Sequence, residues 1–195
     1  MQINYLGQFC FKIKTAKKTI ILDPFEKNSH GFMPKTETDI VIFSSTAKKS
    51  LTRITNTPFI IDGPGEYKIG GVFILGIAFN KNTEKETTIY SMKAEDLRIC
   101  YLDNIKAKLT EKQLEQIGEV DILFIPPINA NKGLDVKGIA EIVNDIEPCL
   151  MVVVPNDNLK FFLNESGFGT YQKEKKLIIK KADLPEETQI VLLEP

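Results

Sequence analysis

Residues 97–154 read LRICYLDNIKAKLTEKQLEQIGEVDILFIPPINANKGLDVKGIAEIVNDIEPCLMVVV, and this stretch decides the fold class. Three short apolar runs, in RICYL, DILFIPP and CLMVVVP, predict buried strands. After the first run, Thr110 and Gln113 have the spacing of a capping box, and Gly118 can end the helix. After the second run, apolar residues share one helical face and a proline follows. The residues of that face are Ile139, Ile142, Val143 and Ile146, with Pro148 just beyond. The stretch therefore predicts the order strand, helix, strand, helix, strand.

The chain before residue 97 is a succession of short strand patterns. Period-two alternation or apolar runs predict strands in QINYLG, CFKIKT, TIILD, DIVIF, FIID, EYKIG, GVFILGIAF and TTIYSM. The clearest turns are Asp62 to Glu66 (DGPGE) and the pair Gly70 and Gly71, because glycine permits a positive φ and proline fixes its own. The tail predicts a short helix in LKFFLNESG and strands in KLIIKK and TQIVLLEP.

This order of elements predicts an α/β (α+β) fold in which two packed sheets are buried and helices cover the outside. The sequence contains no internal repeat, no low-complexity segment and no linker long enough to separate two domains. We therefore expect residues 1–195 to form a single domain.

Composition excludes several classes of protein. Of the 195 residues, 43% are hydrophobic and 26% are charged, and the formal net charge is −1, so we expect no attraction to nucleic acid or to an anionic membrane. The sequence has no apolar run long enough to span a membrane and no signal-peptide pattern, which predicts a cytoplasmic protein. Cys10, Cys100 and Cys149 all lie in apolar contexts, so we expect buried, reduced thiols.

The opening segment, MQINYLGQFCFKIKTAKKTIILDPF, resembles the start of metallo-β-lactamase-fold proteins, in which two antiparallel strands precede a third that ends in an aspartate. The resemblance continues in order through DIVIFSSTAKKS, GPGEYKIGGVFILGI, RICYLDNIKAKLTEKQLEQIGEVDILFIPP, IEPCLMVVVPND and KLIIKKADLPEETQIVLLEP. It is strongest to the small, stand-alone bacterial zinc-dependent hydrolases of that superfamily. The resemblance implies a four-layer αββα sandwich with a site along one edge of the two sheets.

That family binds two metal ions through a motif Thr/Ser-His-x-His-x-Asp-His and through later histidines and an aspartate. The metals then activate a bridging water. Aligned with this sequence, the motif begins at Ser44. The positions that would hold its ligands are Ser45, Ala47, Lys49 and Ser50, followed by Tyr101, Asn104 and Asp157, and Gln8 stands where some relatives have a further histidine.

These substitutions argue against the family's zinc centre. Zinc is bound by neutral imidazole and carboxylate, whereas alanine offers no lone pair and the lysine at 49 would repel a dication. The entire chain contains one histidine, His30, in a polar loop where we expect it to be solvated. We therefore predict no catalytic residues, no metal ligands and no cofactor at these positions.

Two other chemistries could occupy the same edge. The first is nucleophilic catalysis. A serine nucleophile with a lysine base would need a desolvated lysine. A cysteine nucleophile at position 10 would need a histidine base, and Cys10 has none. The serines and lysines concerned are Ser45, Ser50, Lys48 and Lys49. Carboxylates could instead hold Mg²⁺ or Mn²⁺ in an oxygen-ligand site. The aspartates that could serve such a site are Asp23, Asp62, Asp103 and Asp157.

The residues therefore predict a degenerate, metal-free pseudoenzyme that acts as a binding or scaffold protein. Its cleft would hold a protein partner or a small anion beside Lys49, or be filled by hydrogen-bonded side chains. The resemblance also leaves a homo-oligomer open. The alternative is a hydrolase of the superfamily with a non-standard or oxygen-ligand metal site.

Overall fold

A computed structural model describes residues 1–28, 31–45, 50–79, 87–103, 105–125, 134–155, 159–167 and 171–195. In this part of the chain the strands are β1 (Gln2–Gly7), β2 (Cys10–Lys14), β3 (Thr19–Leu22), β4 (Lys27–Asn28), β5 (Gly31–Phe32), β6 (Ile40–Ile42), β7 (Phe59–Ile61), β8 (Gly65–Ile69), β9 (Val72–Ala78), β10 (Thr88–Ala94), β11 (Leu97–Tyr101), β12 (Ile122–Phe124), β13 (Leu150–Val153), β14 (Tyr171–Glu174), β15 (Leu177–Ile178) and β16 (Gln189–Leu193). The helices are α1 (Glu111–Ile117), α2 (Val136–Ile146) and α3 (Leu159–Ser166), with a 3₁₀ turn at Lys181–Asp183.

The strands form two large sheets. The first has six strands in the order β15-β1-β2-β3-β6-β7, and the second has eight in the order β14-β16-β13-β12-β11-β10-β9-β8. Both sheets are mixed: β1, β2 and β3 are antiparallel neighbours, whereas β3, β6 and β7 run parallel, and β11, β12, β13 and β16 also run parallel. β4 and β5 form a separate short hairpin.

The main core lies between the two sheets. Alternate residues of the strands point into it, as the period of two requires. Ile3, Phe11 and Ile13 enter from the six-stranded sheet, and Ile99 and Phe124 enter from the eight-stranded sheet, all fully or almost fully buried. Aromatic rings are concentrated here, since the centroids of Phe11 and Phe124 are 4.6 Å apart in an edge-to-face arrangement.

The helices cover the outer face of the eight-stranded sheet. In α2, Ile139, Ile142 and Val143 pack with Met151 and Val153 of β13 in a second core. The predicted apolar face of this helix is confirmed, because all four of its expected residues are buried.

The capping box predicted for α1 is also confirmed. The Thr110 side chain accepts a hydrogen bond from the Gln113 amide, and the Gln113 side chain accepts one from the Thr110 amide. Gly118 follows with a positive φ of 65° and donates its N–H to the carbonyl of Leu114. The two ends of this helix are therefore set by local sequence.

The outer face of the six-stranded sheet is covered differently. Cys10, Ile21 and Val41 of that sheet pack with Phe25 and Met33, which lie in the irregular segment after β3. No helix covers this face within the described residues. The two packed sheets of the predicted four-layer αββα sandwich are present, whereas the described helices cover one outer face and an irregular segment covers the other.

Local structure departs from the sequence predictions at the tail and in the loops. β14 was not predicted, because its residues, YQKE, are mostly exposed and carry no apolar pattern. KLIIKK forms a strand only at Leu177–Ile178. The predicted turn at Gly70 and Gly71 is confirmed, with φ values of 58° and 88° that close the β8–β9 hairpin.

All three cysteines are free thiols; Cys10 and Cys100 are buried, and Cys149 is half-buried. None of the helices within the described ranges is long and apolar enough to cross a membrane.

Candidate functional site

Three strand ends meet at one edge of the sandwich. Asp23 follows β3, Ser44 follows β6 closely, and Tyr101 ends β11, with Asp103 two residues later. β3 and β6 belong to the six-stranded sheet, whereas β11 belongs to the eight-stranded one. Strand ends are where α/β proteins usually place ligands. The resemblance implies a site along one edge of the two sheets, and Tyr101 is one of the positions it names for that site.

Asp23 is held by both of its carboxyl oxygens. Oδ1 accepts the backbone N–H of Ser44 at 2.8 Å, and Oδ2 lies 2.7 Å from the hydroxyl oxygen of Tyr101. The backbone of Asp23 has a φ of 45°, a left-handed conformation that aspartate and asparagine adopt more readily than most residues other than glycine. Its amide donates to the carbonyl of Ile42 at 2.8 Å, which fixes this turn against β6.

Ser44 joins the two carboxyl groups of this edge. Its amide donates to Asp23, and its hydroxyl donates to Oδ2 of Asp103 at 2.9 Å. The side chain is buried, with a relative exposure of 1%, so its hydroxyl is not accessible to a substrate.

Tyr101 fills the end of the space between the sheets. It is fully buried, and its ring stacks on Phe9 with centroids 5.1 Å apart and an interplanar angle of 18°. Its hydroxyl oxygen lies 2.8 Å from the carbonyl oxygen of Phe9 as well as 2.7 Å from Asp23. A large aromatic ring therefore occupies the position at which the resemblance expects a histidine ligand.

The electrostatics of this cluster follow from burial. Burial, and then the charge of Asp103, raises the pKa of Asp23 to about 7, although hydrogen bonds from Ser44 and Tyr101 oppose the shift. Burial raises the pKa of the Tyr101 hydroxyl well above its usual range, and the charges of Asp23 and Asp103 raise it further. The thiol pKa of Cys10 is raised in the same way, by burial and then by Asp23.

The structure brings the Tyr101 side chain into this cluster, and it gives the other described positions contacts of their own. Gln8 is exposed, and its Nε2 donates to the carbonyl of Lys27 at 3.2 Å. Ser45 forms an isolated β-bridge with Thr87. The hydroxyl of Ser50 lies 3.0 Å from that of Thr52.

The remaining predicted positions lie outside the described residues. They are Ala47, Lys49, Asn104 and Asp157, and the same holds for Lys48 and His30. Of the proposed oxygen ligands, Asp23 and Asp103 belong to the cluster, and Asp62 is exposed after β7.

Sequence reasoning missed two members of this edge. Phe9 contributes its carbonyl and its ring, and Tyr90 donates its hydroxyl to the carbonyl of Phe43 at 3.0 Å. A signal for Tyr90 was present, since it occupies an inward position of the strand TTIYSM and a buried tyrosine hydroxyl needs a partner. No comparable signal marks the Phe9 carbonyl.

The described residues do not fit the zinc centre of the family. They contain no group of three or more histidine, cysteine, aspartate or glutamate side chains placed to hold a metal. Both oxygens of Asp23 are occupied by Ser44 and Tyr101. Serine and neutral tyrosine hydroxyls are weak donors to zinc.

A family profile for a beta-lactamase superfamily domain matches residues 2–155. The chain belongs to this superfamily. A comparison with curated proteins finds no match.

Several solved structures resemble this chain over nearly all of its length. A protein from Thermotoga maritima, described as a Zn-dependent hydrolase, has 24% identity and a TM-score of 0.82, covering 98% of this chain and 97% of its own. A protein from Parabacteroides distasonis, described as a metal-dependent hydrolase, has 14% identity and a TM-score of 0.63, covering 98% of this chain and 93% of its own.

An isothiocyanate hydrolase from Delia radicum gut bacteria has 8% identity and a TM-score of 0.66, with 92% of this chain and 99% of its own covered. At these identities the likeness shows the fold. The predicted metallo-β-lactamase fold is confirmed.

Proposed function

We propose that this protein is a metal-free, non-catalytic member of the metallo-β-lactamase superfamily that acts as a binding or scaffold protein. One observation carries the proposal. Tyr101, aligned with a family ligand, is fully buried, and its hydroxyl contacts Asp23 and the carbonyl of Phe9. The residue thus contacts the protein's own groups at the place where the family binds metal.

Tyr101 is also unsuited to act as a metal ligand by losing its proton. Tyrosine binds metals as the phenolate, and burial together with two neighbouring carboxyl groups raises the pKa of this hydroxyl. The aromatic stack on Phe9 would have to open before a cation could reach the phenol oxygen. A structural role for this ring is therefore the simpler interpretation.

Nucleophilic catalysis finds little support in the same cluster. Ser44 has a carboxylate partner in Asp103, but its side chain is buried. Cys10 is fully buried, and burial raises its thiol pKa, which lowers the fraction of reactive thiolate. The part of the chain that the structure describes thus contains no exposed activated nucleophile at this edge.

A protein partner is favoured over a small anion. The charged groups placed at this edge among the described residues are carboxyl groups, which repel anions. A homo-oligomer is one form that such an assembly could take, and light scattering on the purified protein would show it. The cytoplasmic location and the single domain over residues 1–195 stay predictions.

Metal analysis tests the proposal directly. The protein is purified without chelator, and its bound metals are measured by mass spectrometry, with activity assayed in Mg²⁺ and Mn²⁺. We expect substoichiometric metal and no metal-dependent hydrolysis. Stoichiometric, tightly bound transition metal would overturn the metal-free assignment. Hydrolysis in Mg²⁺ or Mn²⁺ that is lost in Asp103→Asn would support the oxygen-ligand hydrolase instead.

A variant with restored ligands is the matched control. It combines S45H, A47H, K49D, S50H, Y101H, N104D and D157H. If the alignment with the family motif is correct, the folded variant gains zinc that the natural sequence does not retain. Circular dichroism checks that it folds; a folded variant that gains no zinc would contradict the placement of the motif.

A further inference from the structure

We propose that the free edge of β8 pairs with the same edge of a second copy of this chain, which joins the eight-stranded sheets of the two copies into one continuous sheet. Glu66 of each copy lies opposite Lys68 of the other. This inference names a surface for the homo-oligomer that the proposed function leaves open. It concerns a strand edge and stands whether or not the chain binds metal.

β8 is the longest of the four strands that end the two large sheets. It has 5 residues, whereas β7, β14 and β15 have 3, 4 and 2. β9 pairs with it on one side, and no described strand pairs with it on the other. Its register with β9 is unbroken, and no proline interrupts Gly65–Ile69. Proteins usually protect a free edge with short strands, bulges, prolines or charges, and of these β8 has only the charges of Glu66 and Lys68.

The hydrogen bonds between β9 and β10 fix which way each residue of β9 presents its backbone groups. The Phe79 amide donates to the carbonyl of Thr87 at 2.9 Å, so these two residues form a hydrogen-bonded pair just beyond the two strands. Hydrogen-bonded and non-hydrogen-bonded pairs alternate along an antiparallel ladder. Because the register of β9 with β10 is unbroken, the backbone of Leu75 and Phe73 bonds β10, and that of the residues between them bonds β8.

The same alternation shows which groups β8 leaves free. Tyr67 lies opposite Ile74, one of the residues that bond β8, so the backbone groups of Tyr67 are used within the sheet. Glu66 and Lys68 lie opposite Leu75 and Phe73, at non-hydrogen-bonded pairs. The N–H and C=O groups of Glu66 and Lys68 therefore point to the free edge.

Antiparallel pairing about a two-fold axis at Tyr67 uses every one of these free groups. Glu66 of one copy and Lys68 of the other exchange both of their backbone hydrogen bonds, and the symmetric pair does the same. A two-fold axis at Glu66 would place two glutamates opposite each other, and an axis at Lys68 would place two lysines opposite each other. Like charges directly opposite are unfavourable, whereas opposite charges stabilise the pair. The order of charges in the strand thus selects one register, and the strand is complementary to itself.

Side chains on both faces of β8 fit this pairing. On the outer face Glu66 and Lys68 are exposed, and Nζ of Lys68 lies 4.7 Å from the ring centroid of Phe73. On the inner face Tyr67 is half-buried, and it would meet Tyr67 of the second copy at a non-hydrogen-bonded pair, where cross-strand side chains are closest. An aromatic pair at such a position adds to the stability of the contact.

Apolar side chains are exposed at the same side of the sandwich. β7 ends the six-stranded sheet and is joined to β8 by residues 62–64 alone, so both sheets end at this side. Phe59 and Ile60 of β7 are 51% and 43% exposed, and Phe73 of β9 is 48% exposed. A two-fold axis perpendicular to the eight-stranded sheet brings the β7 edges of the two copies toward each other. Pairing would therefore remove part of this apolar surface from water.

The molar mass in solution tests the proposal. The full chain of natural sequence is studied by analytical ultracentrifugation over a wide range of protein concentration. We expect a dimer, with twice the 22.0 kDa mass of one chain, that dissociates on dilution. A protein that stays monomeric at every concentration would overturn this inference. It would leave the metal-free assignment unaffected, because metal analysis tests that assignment separately.

Charge reversals show whether Glu66 and Lys68 meet between copies. Glu66→Lys and Lys68→Glu each place like charges opposite each other in the dimer, so we expect each variant to associate with itself about tenfold or more weakly. In a mixture of the two variants every cross-strand pair has opposite charges again, so the mixture should form a dimer of the two different chains. Circular dichroism checks that both variants fold. Single variants that dimerise as the wild type does, or a mixture of folded variants that stays monomeric, would overturn the proposal.

Lys173→Glu is the matched control. Lys173 is exposed on β14, which ends the same sheet at its opposite edge. This reversal should leave the dimer unchanged. Loss of the dimer in Lys173→Glu, with dimers retained in the two β8 variants, would place the interface at the other edge and overturn the proposal.

Hydrogen exchange on the natural sequence covers the case in which a variant does not fold. The amides of Glu66 and Lys68 point to the free edge, so their protection should rise with protein concentration as the dimer forms. The amide of Tyr67, which bonds β9, should be protected at every concentration. Amides of Glu66 and Lys68 that exchange rapidly even at high concentration would overturn the proposal.

Discussion

The hydroxyl oxygen of Tyr101 lies 2.7 Å from Oδ2 of Asp23, although the two residues are 78 positions apart and lie at the ends of strands from different sheets. This contact joins the two sheets at the edge where the resemblance places the family's metal site. In the metal-free protein that we propose, a direct contact between side chains takes the place of a metal-mediated connection.

The raised pKa of Asp23 makes stability depend on pH. The folded protein keeps this proton up to about pH 7, whereas the unfolded chain releases it near its ordinary value of 3.8. Its stabilising contribution is complete below the unfolded pKa and is lost as pH rises through the folded pKa. In this window we expect the free energy of unfolding to fall by at most about 1.4 kcal/mol per pH unit from this group.

Urea unfolding between pH 4 and pH 8 measures this slope. Asp23→Asn removes this contribution. The slopes of the free energy of unfolding against pH in the wild type and in the variant should therefore differ by the equivalent of about one proton in this window. Asp39 gives the stability a pH dependence of opposite sign, because hydrogen bonds from Lys18 and the Thr19 amide lower its pKa. A wild-type slope equal to that of Asp23→Asn would show that Asp23 titrates normally.

Removal of the Tyr101 hydroxyl should destabilise the protein. Tyr101→Phe leaves the stacked ring in place but deprives the Phe9 carbonyl and Asp23 of a partner. We expect a loss of about 1–3 kcal/mol in the free energy of unfolding, the usual cost of a buried unsatisfied group. Chemical denaturation at pH 6 measures it. Tyr171→Phe, at a half-buried position on the edge strand β14, should change stability by less than about 0.5 kcal/mol.

The start of α1 should be sensitive to its cap. Thr110→Ala removes the side chain that accepts the Gln113 amide, and we expect a loss of about 1 kcal/mol. Glu115→Ala, on the exposed side of the same helix, is the matched control and should be close to neutral. Equal effects of the two changes in thermal unfolding would argue against the capping box.

Two neighbouring glycines should respond oppositely to alanine. A Cβ at Gly76 would lie 2.7 Å from the carbonyl oxygen of Gly63 and 3.1 Å from the Cα of Pro64, both backbone atoms. Gly76→Ala should therefore force a backbone shift and cost about 1–3 kcal/mol. A Cβ at Gly63 meets nothing within 4 Å, so Gly63→Ala should be tolerated. Denaturation midpoints of the two variants give the comparison, and a tolerated Gly76→Ala would contradict the close approach of β9 to this loop.

The sequence determined most of the local structure. The capping box of α1, the apolar face of α2 and the Gly70-Gly71 turn depend on residues within a few positions of one another, and all three were predicted. β14 escaped prediction because its stability comes from pairing with β16, which leaves no apolar pattern in its own residues.

The sequence alone also determined what this protein lacks. A chain with one histidine does not provide the imidazoles of the family's zinc motif, whatever its fold. Only the tertiary structure showed what stands there instead. The Phe9 carbonyl and the Tyr101 hydroxyl meet across 92 residues, because the packing of two sheets brings a hairpin turn onto a strand end. Periodicity predicts which face of a strand is buried, but the partner of each buried polar group depends on how the sheets pack.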